Sequence, residues 1–457
     1  MSTATRGANY RNDNMMIGFS DLKKLRTERP LVLTGGRGIF VIDERGRDYI
    51  EAVSSFYCAA LGFSDEELVE AAVRQLRALP MYPSASHRTV PVVIELAERL
   101  AAISPIPRTH VAFATTGSEA NDSLVKFLWY ANVHGGEPKR RKVISRRGSY
   151  HGGTIMATAL GGGSPLHKSF AIPTDDCLYV SQPTGAAPGE SEEAYADRLA
   201  EEVRQVIETA GPETVGAFLA EPVSTSAGWC LPPAGYFQKI KRVLDGFGVR
   251  LFIDEVVTGF GRTGRMWGSE TLGIEADCIT SAKGMSGAYQ PISAVLMSDD
   301  FYQRLEKGSD ENGWFAHSGT YHAHPVAAAV AVKTLEIFER RQIVKHVQSV
   351  APAWSKALTG LEDHPLVETT RCLGLGGAVE FKRKPEPGEG NVASLKVGGV
   401  AKKVYEAGLE IGIITRPLDR CIVLAPPLII TEAEIGELVR RLRRAMDMVL
   451  ADTKSGD

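Results

Sequence analysis

Three short stretches carry polar groups where an apolar strand would have no use for them. In DCITSAK (277–283) the amine of Lys283 ends an apolar run and is followed by Gly284. A lysine that loses solvation there can shed its proton and condense with a carbonyl. In RLFIDEV (250–256), Asp254 and Glu255 interrupt the end of another apolar strand. An unpaired buried carboxylate is costly, so one of the two should face a cation, and an internal salt bridge would serve as well. In HVAFATTGSEANDSL, a strand is followed by Thr116-Gly117-Ser118 and a helix beginning near Glu119. Free N–H groups and a hydroxyl at a helix N-terminus make a cradle for an anion, although Ser118 could equally be a plain N-cap.

One cofactor needs an amine, a carboxylate and an anion cradle together. Pyridoxal 5'-phosphate has an aldehyde, a ring nitrogen whose positive charge an acidic residue maintains, and a phosphate.

The elements that must position these groups are visible as apolar runs of strand length. They lie at 110–114, 142–145, 215–221, 250–256, 277–283 and 292–297, with helical stretches between them. Their continuous, non-alternating apolar character predicts strands covered on both faces, as in a parallel α/β sheet. In such sheets ligands collect beyond the carboxyl ends of the strands, where the three stretches lie. Ser64-Asp65-Glu66-Glu67 predicts a capping-box start for a helix running to Leu79. Thr431-x-x-Glu434 predicts the same for a C-terminal helix with the stripe Ile435, Leu438, Val439, Leu442, Met446. KRKPEPGEGN at 382–391 reads as a solvated loop.

Composition excludes several classes. The chain has 457 residues, 44% hydrophobic and 23% charged, with a net charge of −3. That balance gives no reason to expect nucleic acid or an acidic membrane surface as partner. No apolar stretch approaches the roughly 18 residues of a membrane helix. The opening MSTATRGANYRNDN carries no apolar signal segment, and the six cysteines show no Cys-x-x-Cys spacing. The expectation is a cytoplasmic protein with reduced thiols. His322 and His324 flank Ala323 without a third ligand, so no metal is expected. GFGRTG (259–264) matches G-x-G-x-x-G, but no helix pattern opens after it, and it reads as a glycine-rich loop.

TTGSEAND, SYHGGT, AEP, IDEVVTGFGRTG, SAKG and GTYHAHP occur in this order. With them the sequence resembles the subgroup III aminotransferases, the omega-transaminases, from about Phe19 to the C-terminal helix. The resemblance implies PLP fold type I (aspartate aminotransferase-like), an α/β architecture. Its large domain, residues 61–324, would hold a mostly parallel sheet. A smaller α+β domain would come from both chain ends, residues 1–60 and 325–457. It further implies that Lys283 forms the Schiff base and then moves the substrate proton. Asp254 would pair with the pyridine nitrogen, Gly117 and Ser118 would hold the phosphate, and Tyr150 and Val256 would flank the ring. Glu221 would lie near the ring hydroxyl and Asp254. His151 follows the stacking tyrosine, without a clear role. Thr320 would reach the phosphate of the neighbouring subunit, implying a homodimer, or a dimer of dimers, with shared active sites.

At the substrate end, Arg416 resembles the mobile arginine that pairs with a keto acid's carboxylate in amine:pyruvate transaminases. Ornithine- and GABA-type relatives tend to carry a glutamate five residues after that of AEP, and here that position is Ser226. This points to pyruvate over 2-oxoglutarate. Phe19, Tyr57 and Tyr150 would line the amine pocket, and YPSASHR (82–88), with small residues where some relatives place phenylalanines from the partner subunit, would leave it roomier or wetter than in aryl-amine enzymes. The implied activity is ping-pong transamination from an amine or omega-amino acid to pyruvate. The alternatives are an aminomutase of the glutamate-1-semialdehyde type, a 2-oxoglutarate-using aminotransferase or, from another class, a nucleotide-binding module built on GFGRTG.

Overall fold

The computed structural model describes residues 14–163, 165–382 and 399–455. Most of the loop expected at 382–391 lies outside them. Its centre is a seven-stranded sheet in the order His110–Ala114, Ser293–Met297, Cys278–Ser281, Arg250–Asp254, Val215–Ala220, Lys142–Arg146, Cys177–Val180. All the expected strands are present and two-sided burial is the reason for their composition. Along Arg250–Asp254, Leu251 and Ile253 enter one buried apolar cluster while Phe252 enters another on the opposite face. Ala217 and Leu219 face one side, Phe218 and Ala220 the other. Ser293–Met297 runs antiparallel to both its neighbours, so the sheet is mixed and not wholly parallel. Continuous burial carries no information on strand direction, so the sequence could not show it.

The chain ends meet in a four-stranded sheet, where Ile413–Ile414 pairs parallel with Asp48–Glu51 at the edge of an N-terminal meander. A third sheet pairs Val367–Leu373, Gly376–Phe381, Cys421–Leu424 and Arg416–Leu418 antiparallel. That last strand begins with Arg416.

The helix starts differ in one detail. Glu66–Ala78 is capped by Asp65, whose carboxylate accepts from the Glu67 N–H at 3.1 Å. Ser64 has φ of 61° and donates its hydroxyl to the Gly36 carbonyl instead, so its backbone turn carries the side chain away from the helix. At Glu432–Ser455 the capping box forms as expected. Thr431 Oγ1 accepts from the Glu434 N–H at 3.3 Å, and the Glu434 carboxylate accepts from the Thr431 N–H at 2.8 Å. Ile435, Leu438, Leu442 and Met446 of its stripe are buried, and Val439 packs against the same core.

Candidate active site

The carboxyl ends of the central strands open into a cavity of about 760 Å³. Lys283, Asp254, Val256, Glu221, Gly117, Ser118, Tyr150, His151, Ser226, Tyr57, Phe19 and Arg416 all line it. Thr320 does not; it lies exposed on the surface. The segment 82–88 is also absent from the lining.

Lys283 follows the strand Cys278–Ser281 and adopts φ of 44°, a left-handed conformation that costs a non-glycine residue about 1–2 kcal/mol. Backbone strain of this kind persists where the surroundings over-determine it. The residue is half-buried and lines the cavity. Burial pushes its pKa below that of an ordinary lysine; Cys58 and Asp254 oppose this, and the Arg416 charge adds to it.

Of the two adjacent carboxylates, only Asp254 faces the cavity. Its Oδ2 accepts from His151 Nδ1 at 2.8 Å and Asn121 Nδ2 at 2.9 Å, and its Oδ1 from the Val256 N–H at 3.0 Å. Asn121 is fixed in turn by donating to the His151 carbonyl and accepting from the Thr280 hydroxyl. Glu255 points the other way. It accepts from the Gly268 and Ser269 N–H groups and the Thr258 and Ser269 hydroxyls, and burial raises its pKa. A strand alternates its side chains between faces, which separates the neighbours.

At the far end, the helix Gly117–His134 is capped by Thr116, whose hydroxyl accepts from the Glu119 N–H at 3.2 Å. Ser118 is therefore not the N-cap. The N–H groups of Gly117 and Ser118 belong to the first turn, where the helix offers no carbonyl partner. Ser118 Oγ accepts from the Gly153 N–H at 3.0 Å, which leaves its own proton to donate. A Cβ on Gly117 would sit 2.9 Å from Val256 Cγ2, and one on Gly152 (φ 144°) 2.3 Å from Ser118 Oγ. Glycine at both positions lets Val256 and Ser118 pack directly against this corner. An amine, a carboxylate with an accepting edge toward the cavity and an anion cradle share one space. The residues present fit pyridoxal phosphate.

Arg416 sits with its guanidinium over the rings of Phe56 and Tyr57, at 4.9 and 5.5 Å from their centroids. Among the described residues, no carboxylate pairs with it. Ser226 donates to the Gly148 carbonyl at 2.9 Å and brings no charge. Phe56 and Tyr57 are presented by a turn in which Ser54, Ser55, Phe56 and Tyr57 all have positive φ, between 48° and 69°. Buried Glu51 braces it by accepting from the Val53 and Ser55 N–H groups at 3.0 and 2.8 Å. Burial lifts the Tyr57 phenol to about 12. Phe19 is 78% exposed although it borders the cavity.

A family model described as Aminotransferase class-III matches residues 23–446. The chain belongs to the class-III aminotransferases. It is 37% identical to the omega transaminase from Pseudomonas jessenii solved in complex with PMP. The match covers 97% of this chain and 98% of that one, with a TM-score of 0.92. It is 35% identical over 97% of its length to gamma aminobutyrate transaminase 1, mitochondrial, of Solanum lycopersicum, covering 86% of that protein. To probable gamma-aminobutyrate transaminase 4 of Oryza sativa subsp. japonica it is 38% identical, over 93% of this chain and 88% of that one. This class-III aminotransferase is a pyridoxal-phosphate enzyme.

GFGRTG opens no helix directly. It is a run of turns whose buried Arg262 donates to the Leu375 and Pro426 carbonyls, tying the central sheet to the C-terminal segments. Among the described residues no group of three or more histidine, cysteine or acidic side chains could hold a metal. No helix among them is long and apolar enough to cross a membrane. All six cysteines are free thiols. Sequence reasoning missed Asn121, Phe56, Glu51 and the fully buried Arg146, which pairs with Glu221 at 2.8 Å. Asn121 stood within the segment TTGSEAND, two residues after the helix-start glutamate. Arg146 sat one residue past the apolar run ending at Ser145, and nothing in its spacing marked it.

Proposed function

We propose that this aminotransferase moves an amino group from an amine or omega-amino acid to pyruvate, giving alanine, in a ping-pong cycle. Arg416 carries this reading. It is a guanidinium at the cavity wall, stacked on aromatic rings and with no carboxylate partner among the described residues, and Ser226 supplies none. A free guanidinium binds a keto acid's carboxylate bidentately and can yield its place to a donor that lacks one.

Pyridoxal phosphate supplies an aldehyde that condenses with amines and a ring that takes up electrons from the substrate carbon. The chain's residues do the rest. Gly117 and Ser118 would bind the phosphate through N–H groups and a hydroxyl. Tyr150 and Val256 would hold the ring, and Glu221 would meet its hydroxyl. Asp254, aimed by His151 and Asn121, would meet the positive charge at the ring nitrogen. Lys283 Nζ, already inclined to neutrality by burial, would take the proton from the donor carbon that bears the amine and deliver it across the nitrogen to the cofactor side. Phe19, Tyr57 and Tyr150 contact the donor. Thr320 reaches the phosphate of a second copy, so the active unit is a homodimer with shared sites; its exposed position supports this. Six free thiols support a cytoplasmic location.

The names of the relatives favour an omega-amino acid among the donors. A donor panel with purified holoenzyme, run in parallel with pyruvate and 2-oxoglutarate, tests the reading. Alanine from pyruvate is expected. Glutamate as the main product would overturn the roles of Arg416 and Ser226 but not that of Lys283, and turnover without any keto acid would point to an aminomutase.

A further inference from the structure

The strand Lys142–Arg146 ends on an arginine whose side chain has 0% exposure. Taking a guanidinium out of water is costly unless pairing compensates. Among the described residues Arg146 has one anionic partner. Its Nη2 donates to the Glu221 carboxylate at 2.8 Å and to the Glu221 carbonyl at 2.5 Å, while Nε and Nη1 meet no hydrogen-bond partner. It does not line the cavity. A cation kept under those conditions, one layer behind the wall, acts on Glu221 and not on a ligand.

The order of the sheet explains what that does. Neighbouring parallel strands end on or just before Lys283, Asp254, Glu221 and Arg146 in that sequence across the sheet. Between the two carboxylates stands one imidazole. His151 Nδ1 lies 2.8 Å from Asp254 Oδ2, and its Nε2 lies 3.9 Å from Glu221 Oε2. Arg146 offsets the Glu221 charge, which leaves Asp254 as the uncompensated carboxylate of this row. The other titratable neighbours cannot take its place. Burial raises the Tyr236 phenol to about 12 and also lifts the Cys230 thiol, so both stay neutral.

We propose that Arg146 is a positioning residue for transamination. It neutralises Glu221 so that Asp254 presents the single net negative charge to the cofactor's ring nitrogen, acting through Glu221 and His151 without touching the cofactor. This rests on the reading that Asp254 meets the ring nitrogen.

The test is a pH titration of the bound cofactor's visible absorption in the holoenzymes of Arg146→Met, Glu221→Gln and the double variant. Losing a positive charge favours the protonated chromophore. Arg146→Met should therefore raise the midpoint by about one pH unit or more, Glu221→Gln should lower it, and the double variant should return close to wild type. A packing role predicts no such opposition of sign. Midpoints that move the same way, or do not move, overturn the assignment. If Arg146→Met fails to fold, Arg146→Lys and Glu221→Gln decide it. The lysine, which keeps the charge, should titrate like wild type while Glu221→Gln shifts down; any other pattern overturns the assignment. Asp254→Asn is run alongside. If it alters the titration while Arg146→Met does not, the Arg146 assignment alone fails. If Asp254→Asn leaves it unmoved, the reading beneath fails and takes the assignment with it.

Discussion

Replacing Asp254 by asparagine keeps the shape of the side chain and removes its charge. The carboxylate accepts three hydrogen bonds, two on Oδ2 from His151 and Asn121 and one on Oδ1 from the Val256 N–H. An asparagine can turn its oxygen toward the first pair, but its NH2 then faces the Val256 donor. The reverse orientation sets the NH2 against both His151 and Asn121. At least one contact is lost either way, at about 1–3 kcal/mol for a buried group left unpaired. Losing a preorganised charge aimed at the reacting system removes roughly 3–4 kcal/mol of transition-state stabilisation. At about 1.4 kcal/mol per decade, kcat should fall about 100- to 1,000-fold. Substrate contacts are untouched, so KM for pyruvate and donor should stay within about threefold. Steady-state alanine formation measures both constants, and a single-turnover reaction with donor alone isolates the first half. A loss of kcat below tenfold would refute the reasoning and mean that another group holds the ring nitrogen.

Lys283→Ala should abolish turnover while circular dichroism and the melting profile keep their native form; measurable transamination by the folded variant would remove the catalytic role. Arg416→Ala should raise KM for pyruvate about 10- to 100-fold, the worth of a charge-assisted pair, and leave KM for a carboxylate-free amine unchanged. Equal losses on both substrates would take the guanidinium out of acceptor binding. Gly117→Ala forces a methyl to 2.9 Å from Val256 Cγ2, an overpacking of about 1–3 kcal/mol. Cofactor affinity, read by reconstituting the cofactor-free enzyme, should weaken about 10- to 100-fold, and unaltered affinity would contradict the cradle. Burial holds the Cys177 and Cys421 thiols up at about 11. Both become thiolates only at high pH, so mass spectrometry should find them almost unalkylated near pH 8, with labelling rising steeply as pH increases.

Most of the cavity could be read along the chain, because its groups sit at strand ends where apolar runs stop and polar chemistry begins. Lys283, Asp254 and the Thr116-Gly117-Ser118 turn are each locally out of place in an apolar context, and local incongruity is visible in one dimension. The capping box at Thr431 and the buried stripe of the last helix were legible for the same reason: both depend on residues three or four apart.

What the tertiary structure decided depends on distance or direction. Asp254 and Glu255 are adjacent in sequence, and only the pleat separates one into the cavity from the other, which faces the helix Gly268–Leu272. The antiparallel course of Ser293–Met297 leaves no mark on its composition, since a strand buried on both faces is apolar whichever way it runs. The four left-handed residues from Ser54 to Tyr57 contain no glycine to announce them; their conformation depends on Glu51 and on Ala425, which accepts the Ser54 hydroxyl from 371 residues away. Arg146 is the clearest case. In sequence it is an arginine beside another arginine. Only the order of the strands brings it against Glu221, 75 residues on, and makes its charge part of the row that ends at Lys283.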